Sequence, residues 1–563
     1  MNAAVLAAIV IAFFALGYRY YSTFLSRRIF QIADDEAVPG VEREDGVDFV
    51  ATPKHILWGH HYTSIAGAAP IVGPAIAVIW GWLPALLWVS VGTVFMGAVH
   101  DFSALVISLR NRGQSIGDIA GHVISPQVRT LFLVIISFLI WIVLAVFAFI
   151  IGVLFVDNPG AIFPINVQII IALLLGGLVF RRGMNTLWPS IAGYVVLIVA
   201  IFYGNDFAEA VPAISKISVS AWVWILLIYS FFASVLPVWA LLQPRDYLNS
   251  HQLITGLVLL GLGLIVLHPT VQAPAINASP PGAPPMIPFL FITIACGAIS
   301  GFHGLVSSGT TSKQVARMSD ARPIGYGGML GEGTLGLLAV LAATAGFASD
   351  ADWFSHYASW GEASGLDDKL DAFVSGGARF VAALGIPLES ARTFIAVMVI
   401  AFAATSLDTG ARIQRLIIAE LAEGTGVRVL TNRFAASAVG IGAALLLAVT
   451  QAGGKGGLIL WPLFGTTNQL VAGITLLVVS VWLRRLGRPV VYTLVPMIFV
   501  GGATVTAMAG EVIGYFRNFT DQWLLAVMGG LILVFDVWVV LEGLRMLVAE
   551  REPETAGASR SGD

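Results

Sequence analysis

Residues 56–80 read ILWGHHYTSIAGAAPIVGPAIAVIW, and residues 288–312 read PFLFITIACGAISGFHGLVSSGTTS. Each is long enough to cross a bilayer, which takes about 20 apolar residues. Each is also interrupted in the middle, the first by Gly67, Pro70, Gly73 and Pro74, the second by Gly297, Gly301, Gly304 and Gly309. Hydrocarbon offers peptide groups no hydrogen-bond partners. A broken helix is therefore tolerated only where the freed backbone faces protein, ions or water. Two such segments in matching positions of two halves point to a site where a polar solute crosses.

Composition agrees. The chain has 563 residues, 57% of them hydrophobic and only 11% charged, whereas soluble domains carry about 25% charged residues. The fold class expected is an all-α polytopic membrane protein. The net charge of −3 says little about partners. One cysteine, Cys296, excludes an internal disulfide framework and a thiolate metal cluster. No Walker-type phosphate loop is present, so ATP-driven transport by this chain alone is not expected. Nor is a nucleic-acid partner or a cofactor.

Apolar runs give about fifteen crossings, centred on 3–23, 56–80, 83–109, 130–156, 166–180, 187–203, 221–241, 252–268, 288–311, 323–348, 393–411, 434–451, 457–483, 490–509 and 522–544. The first is read as a retained span rather than a signal peptide. Positive charge tests the series. Lys and Arg concentrate in alternate loops beginning with 24–55, whereas the opposite set holds only Lys216, Lys369, Arg379, Arg392, Lys455 and Arg517. The basic side is cytoplasmic, which puts the N-terminus outside and the C-terminus inside.

The two broken segments then run in opposite directions. Each opens a set of five spans, 56–203 and 288–484, which is the inverted-repeat arrangement of many secondary transporters. The remaining divisions are a first span with a cytoplasmic linker (1–55), two connecting spans (204–287), two C-terminal spans (485–550) and a disordered tail (551–563). Within the long outer loop 349–391, FVSGGARFVAALGI reads as an interfacial amphipathic helix.

Ionisable groups inside spans are costly and functional by default. Here they are His60, His61, His100, Asp101, His303, Glu332, Asp408 and Asp536. At 1.5 Å per residue, Asp101, His303 and Glu332 each lie roughly 13–15 Å in from the nearest cytoplasmic basic residue. His61, His100, Asp101, His303, Glu332 and Asp408 are the candidates for proton coupling, since histidine titrates near neutral pH and a buried aspartate needs a partner. His60 and His61 diverge by about 100° on a helix and cannot line one site together. Asp408 has two readings: an i, i+4 pair with Arg412, or one of a set with Thr405, Ser406 and Thr409, whose hydroxyl oxygens suit sodium. Lys313 reads as a positive-inside anchor. The substrate-lining candidates are Gly67, Pro70, Gly73, Ser300, Gly301, Ser307 and Thr310 at the breaks, with Asn468 from the polar run WPLFGTTNQL.

Six motifs occur in order: WGHHYTSIAGAAPIVGP (58–74), GAVHDFSAL (97–105), SGFHGLVSSGTTSKQ (300–314), PIGYGGML (323–330), TSLDTGARIQR (405–415) and LFGTTNQL (463–470). On these the chain resembles the carbon starvation protein A (CstA) family of bacterial inner-membrane transporters. The resemblance implies uptake of a small-molecule nutrient across the bilayer, with peptides and pyruvate as substrates of members. It implies proton symport in the pyruvate-transporting relatives. It also implies kinship with the amino acid–polyamine–organocation superfamily. The expectation is a secondary transporter coupled to protons, with sodium as the alternative ion.

Overall fold

The structure is a computed structural model that describes residues 1–549 apart from 182, 183, 185, 364, 452 and 454. The tail 551–563, read as disordered, lies outside the described residues. Among those residues there are no strands, and the chain is helical throughout. The main helices are α1 (Ala3–Ile29), α2 (Lys54–Ile65), α3 (Ala69–Trp80), α4 (Trp82–Arg110), α5 (Pro126–Asp157), α6 (Pro159–Val179), α7 (Leu187–Phe202), α8 (Val219–Val235) and α9 (Leu242–Leu267). They continue as α10 (Met286–Thr293), α11 (Gly301–Gly309), α12 (Met318–Ala345), α13 (Leu388–Thr425), α14 (Arg433–Ala448), α15 (Gly456–Arg485), α16 (Val491–Arg517) and α17 (Phe519–Val548).

Among the described residues, ten helices are long and apolar enough to cross a membrane, and up to twelve spans result if each of two bent pairs counts as one. The protein is therefore a multi-pass membrane protein. The fuller series read from the sequence adds the shorter apolar helices α8 and α14 and the broken segment that holds α10 and α11.

Both breaks fall where the sequence puts them. α2 stops at Ile65, and α3 restarts at Ala69 with a bend of 45°. Pro70 sits in the first turn of α3, where its missing N–H costs no helical bond. In the second segment α10 ends at Thr293 and α11 begins at Gly301, with Gly297 between them at φ 92°. That left-handed backbone is open to glycine and strained for most other residues.

α5, α8, α13 and α14 pack mutually, each against the other three. Around this group α2 packs on α9 and α11 on α15, while α3 packs on α12 and α11 on α4. α6 and α7 lie at the periphery and expose Ile170, Leu173, Leu174, Trp188, Val196 and Val199. The helix Leu366–Ala382, expected at the bilayer interface, instead packs on α3, α9, α12 and α13 and buries Phe373 and Phe380 within the protein. Its apolar stripe finds helices rather than lipid because Gly376 comes close to the Ala342 carbonyl.

Residues 24–55 do more than link. Phe30 and Val38 are buried, and Phe30 packs edge-on against Phe102. Asp48 accepts hydrogen bonds from Arg412 at 2.6 Å and from Arg415 at 2.7 Å, both guanidiniums being buried on α13. Burial by itself would raise the Asp48 carboxyl, but the two arginines outweigh it and bring the pKa from 3.8 to about 2. A depressed carboxylate stabilises the fold above its unfolded pKa and loses that contribution as pH falls through the folded one. Stability from this group is thus full above about pH 4 and fades toward pH 2. Asp48→Asn leaves two buried guanidiniums short of a counter-charge and is expected to cost about 3–5 kcal/mol. Thermal unfolding at pH 7 in detergent checks it, and an unchanged Tm would refute the anchoring role.

Candidate functional site

The unwound stretch 294–300 brings four elements to one place. α4 supplies His100 and Asp101, α11 supplies His303, α12 supplies Glu332 and α15 supplies Asn468, all with no solvent exposure. Small residues permit the approach: a methyl on Gly304 would lie 2.8 Å from His100 Cε1. His100 Nδ1 is 2.7 Å from Asp101 Oδ1, and His303 Nδ1 is 3.0 Å from Asp101 Oδ2. An ionised aspartate can only accept, so both rings carry their proton on Nδ1 in this arrangement.

The second nitrogen of His303 then matters. His303 Nε2 lies 3.3 Å from Glu332 Oε1 without hydrogen-bond alignment, and Glu332 Oε2 has no partner among the described residues. The Gly297 N–H donates to Oε1 at 3.2 Å. With Nδ1–H committed to Asp101, Nε2 and the carboxylate can share a single proton. Cys296 Sγ, His303 and Glu332 place one ligand atom each within 4.8 Å of one another. Asn468 closes the group: its Nδ2 donates to Ser300 Oγ at 3.0 Å, and its Oδ1 accepts from the Phe302 N–H at 2.8 Å. His61 bonds Thr311 Oγ1 at 2.9 Å through Nδ1, leaving Nε2 without a partner among the described residues.

Asp408 belongs elsewhere. The expected i, i+4 pair with Arg412 does not form, because Arg412 turns to Asp48 and to the Leu236 carbonyl. Asp408 instead binds Arg245 of α9 and accepts from the Tyr229 hydroxyl at 2.9 Å. Arg245 also contacts Asp246 at 3.2 Å, and Asp246 Oδ2 takes His60 Nδ1 at 2.6 Å. This second buried network links α2, α8, α9 and α13. Sequence reading assigned Arg245 and Asp246 to a loop. The polar run QPRDYLNSHQ (243–252) is in fact the buried start of α9. An uninterrupted run without glycine or repeated proline is the signal that could have found it.

The hydroxyls proposed for sodium are each engaged by protein. Thr405 Oγ1 donates to the Ala401 carbonyl and accepts from Asn249, Ser406 donates to the Ser64 carbonyl, and Thr409 pairs with Ser64 Oγ at 3.1 Å. Lys313 is buried rather than a surface anchor; its Nζ donates to the Gly309 carbonyl at 2.6 Å. Asp536 is buried on α17, away from either network, with Oδ2 unpartnered among the described residues.

Several substrate candidates sit in close packing contact. A methyl on Gly73 would sit 2.3 Å from the Thr293 carbonyl oxygen, and one on Gly301 would sit 2.2 Å from the Asn468 carbonyl oxygen. Gly67 meets Ser406 and Phe147, and Pro70 lies against Gly297, so the two breaks touch. Ser307 has a buried hydroxyl with no partner among the described residues, and Thr310 faces His60 and Gln314. None of these lines the cavity of about 410 Å³ that lies on the side of residues 349–391. Its walls come from α3, the approach to α11, α15 and α16, and include Cys296, Trp360, Lys369, Trp461, Glu511 and Tyr515. Cys296 joins the cavity to the His303–Glu332 pair.

A multi-pass helical protein with two broken helices meeting beside a buried ionisable network belongs to the structural class that includes secondary transporters. The family model for carbon starvation protein CstA matches residues 2–354 and 355–507. The chain belongs to that family. It is 33% identical to the peptide transporter CstA of Campylobacter jejuni, over 92% of this chain and 81% of that one. It is 31% identical to the peptide transporter CstA of Bacillus subtilis, over 89% of each. With the pyruvate/proton symporter BtsT of Escherichia coli it shares 38% identity over 59% of this chain and 48% of that one. The crystal structure of an Eremococcus coleocola manganese transporter mutant aligns with 89% of this chain and 99% of that one at 14% identity and a TM-score of 0.41, too weak a likeness to define the fold.

Proposed function

We propose that the chain is a secondary active transporter that brings a small carboxylate-bearing nutrient, pyruvate or a short peptide, into the cell by proton symport. The observation that carries this reading is the His303–Glu332 contact, beside Cys296 of the cavity wall, where one proton can be held between two buried groups. Asp101 fixes the His303 ring, and His100 supports Asp101. Cys296 links that pair to the cavity. His61 is the relay toward the opposite side.

The architecture we infer has about fifteen spans, sits in the bacterial inner membrane and has the N-terminus outside and the C-terminus inside. Its five-plus-five repeat, read from the sequence as 56–203 against 288–484, is redrawn as α2–α5 with α8 and α9, against α10–α15, so that α6 and α7 become an inserted hairpin in place of α8 and α9 as connecting spans. In this pairing α2·α9 corresponds to α10·α15, α3·α12 to α11·α4, α5·α8 to α13·α14, and α5·α15 to α13·α9. These matched neighbours support the repeat.

Uptake of labelled pyruvate and of a labelled dipeptide into proteoliposomes, under separate pH and sodium gradients, tests the reading. Accumulation that follows the pH gradient and collapses with a protonophore is expected. Accumulation that follows sodium would overturn the proton assignment and direct attention to Thr405, Ser406 and Thr409.

A further inference from the structure

Beside the cavity, three unlike donor atoms converge that proton sharing leaves partly idle. Cys296 Sγ, His303 and Glu332 each bring one ligand atom within 4.8 Å of the others. Cys296 is buried but lines the cavity, while His303 and Glu332 have no solvent exposure. His303 Nε2 and Glu332 Oε2 have no hydrogen-bond partner among the described residues. Thiolate sulfur, imidazole nitrogen and carboxylate oxygen together suit zinc-like ions, whereas magnesium and calcium take oxygen ligands. Spacing agrees. Tetrahedral zinc holds a nitrogen and an oxygen ligand about 3.3–3.5 Å apart, and His303 Nε2 stands 3.3 Å from Glu332 Oε1. A bound thiolate would sit about 3.6 Å from its neighbours, a movement on the order of 1 Å for the Cys296 side chain.

The groups behind the donors fit the same ion. A metal-bound histidine is normally held by a carboxylate or carbonyl on its other nitrogen. His303 Nδ1 is 3.0 Å from Asp101 Oδ2, and Asp101 is braced in turn by His100. Glu332 Oε1 accepts from the Gly297 N–H at 3.2 Å, and Cys296 Sγ accepts from Asn468 Nδ2 at 3.6 Å. Each of the three is thus held in place from behind. We propose that Cys296, His303 and Glu332 form a site for a divalent transition ion of the zinc class, reached from the cavity past Cys296, and that the ion blocks transport by taking the place of the coupling proton. Two protons leave on binding: the one on the Cys296 thiol and the one shared between His303 and Glu332. The block, though not the site, rests on the transporter reading.

The test begins with cobalt(II), a coloured stand-in for zinc, added to the purified, chelator-treated full chain in detergent. Cys296 is the only cysteine in the chain, so a thiolate-to-cobalt absorption band reports this site and no other. One equivalent is expected to produce the band, one equivalent of zinc to remove it, and excess magnesium or calcium to leave it unchanged. Cys296→Ser should abolish the band, and both Cys296→Ser and His303→Gln should weaken zinc at least about tenfold. No band in the wild-type chain, or zinc affinity unchanged in Cys296→Ser, would overturn the site. In proteoliposomes, zinc should stop pH-driven uptake, and Cys296→Ser should raise the half-inhibiting concentration at least about tenfold. Uptake that continues with the site filled would overturn the block while keeping the transporter. A cobalt band without concentrative uptake of either pyruvate or dipeptide would keep the site and defeat the transporter reading.

Discussion

Glu332→Gln is expected to abolish proton-driven accumulation while leaving exchange of substrate across the membrane intact. For one proton carried per neutral substrate, a one-unit inward pH gradient supports about tenfold accumulation, equivalent to 1.36 kcal/mol. The glutamine variant should hold that ratio near one. The reason lies in the proton inventory of the site. Asp101 is occupied by two imidazole N–H groups, so its charge is already committed. His303 Nε2 and Glu332 Oε1, 3.3 Å apart, are the facing pair of atoms that can share a proton. Glutamine keeps the shape but has no charge to neutralise. Counterflow of labelled substrate, which needs no net proton movement, distinguishes uncoupling from unfolding. Undiminished accumulation in Glu332→Gln would remove Glu332 from the coupling path.

Arg245→Met should be the most destabilising single change in the second network. Arg245 is the cation between Asp408 and Asp246. Its loss leaves Asp408 without a counter-charge inside the helix bundle, and breaking a buried pair in this way costs about 3–5 kcal/mol. Removing both charges is far milder, because apolar groups of similar volume often replace buried pairs with little loss. The double variant Arg245→Met with Asp408→Leu is therefore expected to recover most of the stability. Asp246 remains paired with His60 at 2.6 Å. Unfolding of the single and double variants in the same detergent checks the pattern. A double variant as unstable as Arg245→Met alone would show that the pairing is not what holds α9 to α13.

Local signals were legible in the sequence, and tertiary choices were not. Gly67, Pro70 and Gly297 announce broken helices because proline lacks an N–H and glycine accepts a left-handed backbone. Asp101, His303 and Glu332 were likewise legible as a group, since burial of charge inside a span forces partnership. Asp408 illustrates the limit. Its i, i+4 spacing to Arg412 satisfies the rule for helix pairs, yet Arg412 is drawn to Asp48, a residue in a segment read as a linker. Arg245 and Asp246 escaped because hydropathy places polar runs in loops, and only packing reveals that α9 begins buried. Glu511 escaped because the apolar run ends near residue 509, whereas α16 continues to Arg517.

The meeting of the two breaks has a mechanical consequence. Gly73 lies against the Thr293 carbonyl and Pro70 against Gly297, so the interrupted helices meet at their backbones, with little more than the Pro70 ring between them. Such a seam behaves like a pair of meshed teeth. Neither helix can tilt alone without driving peptide atoms into each other, so a rotation begun on one side of the membrane is delivered to the other with little lost motion.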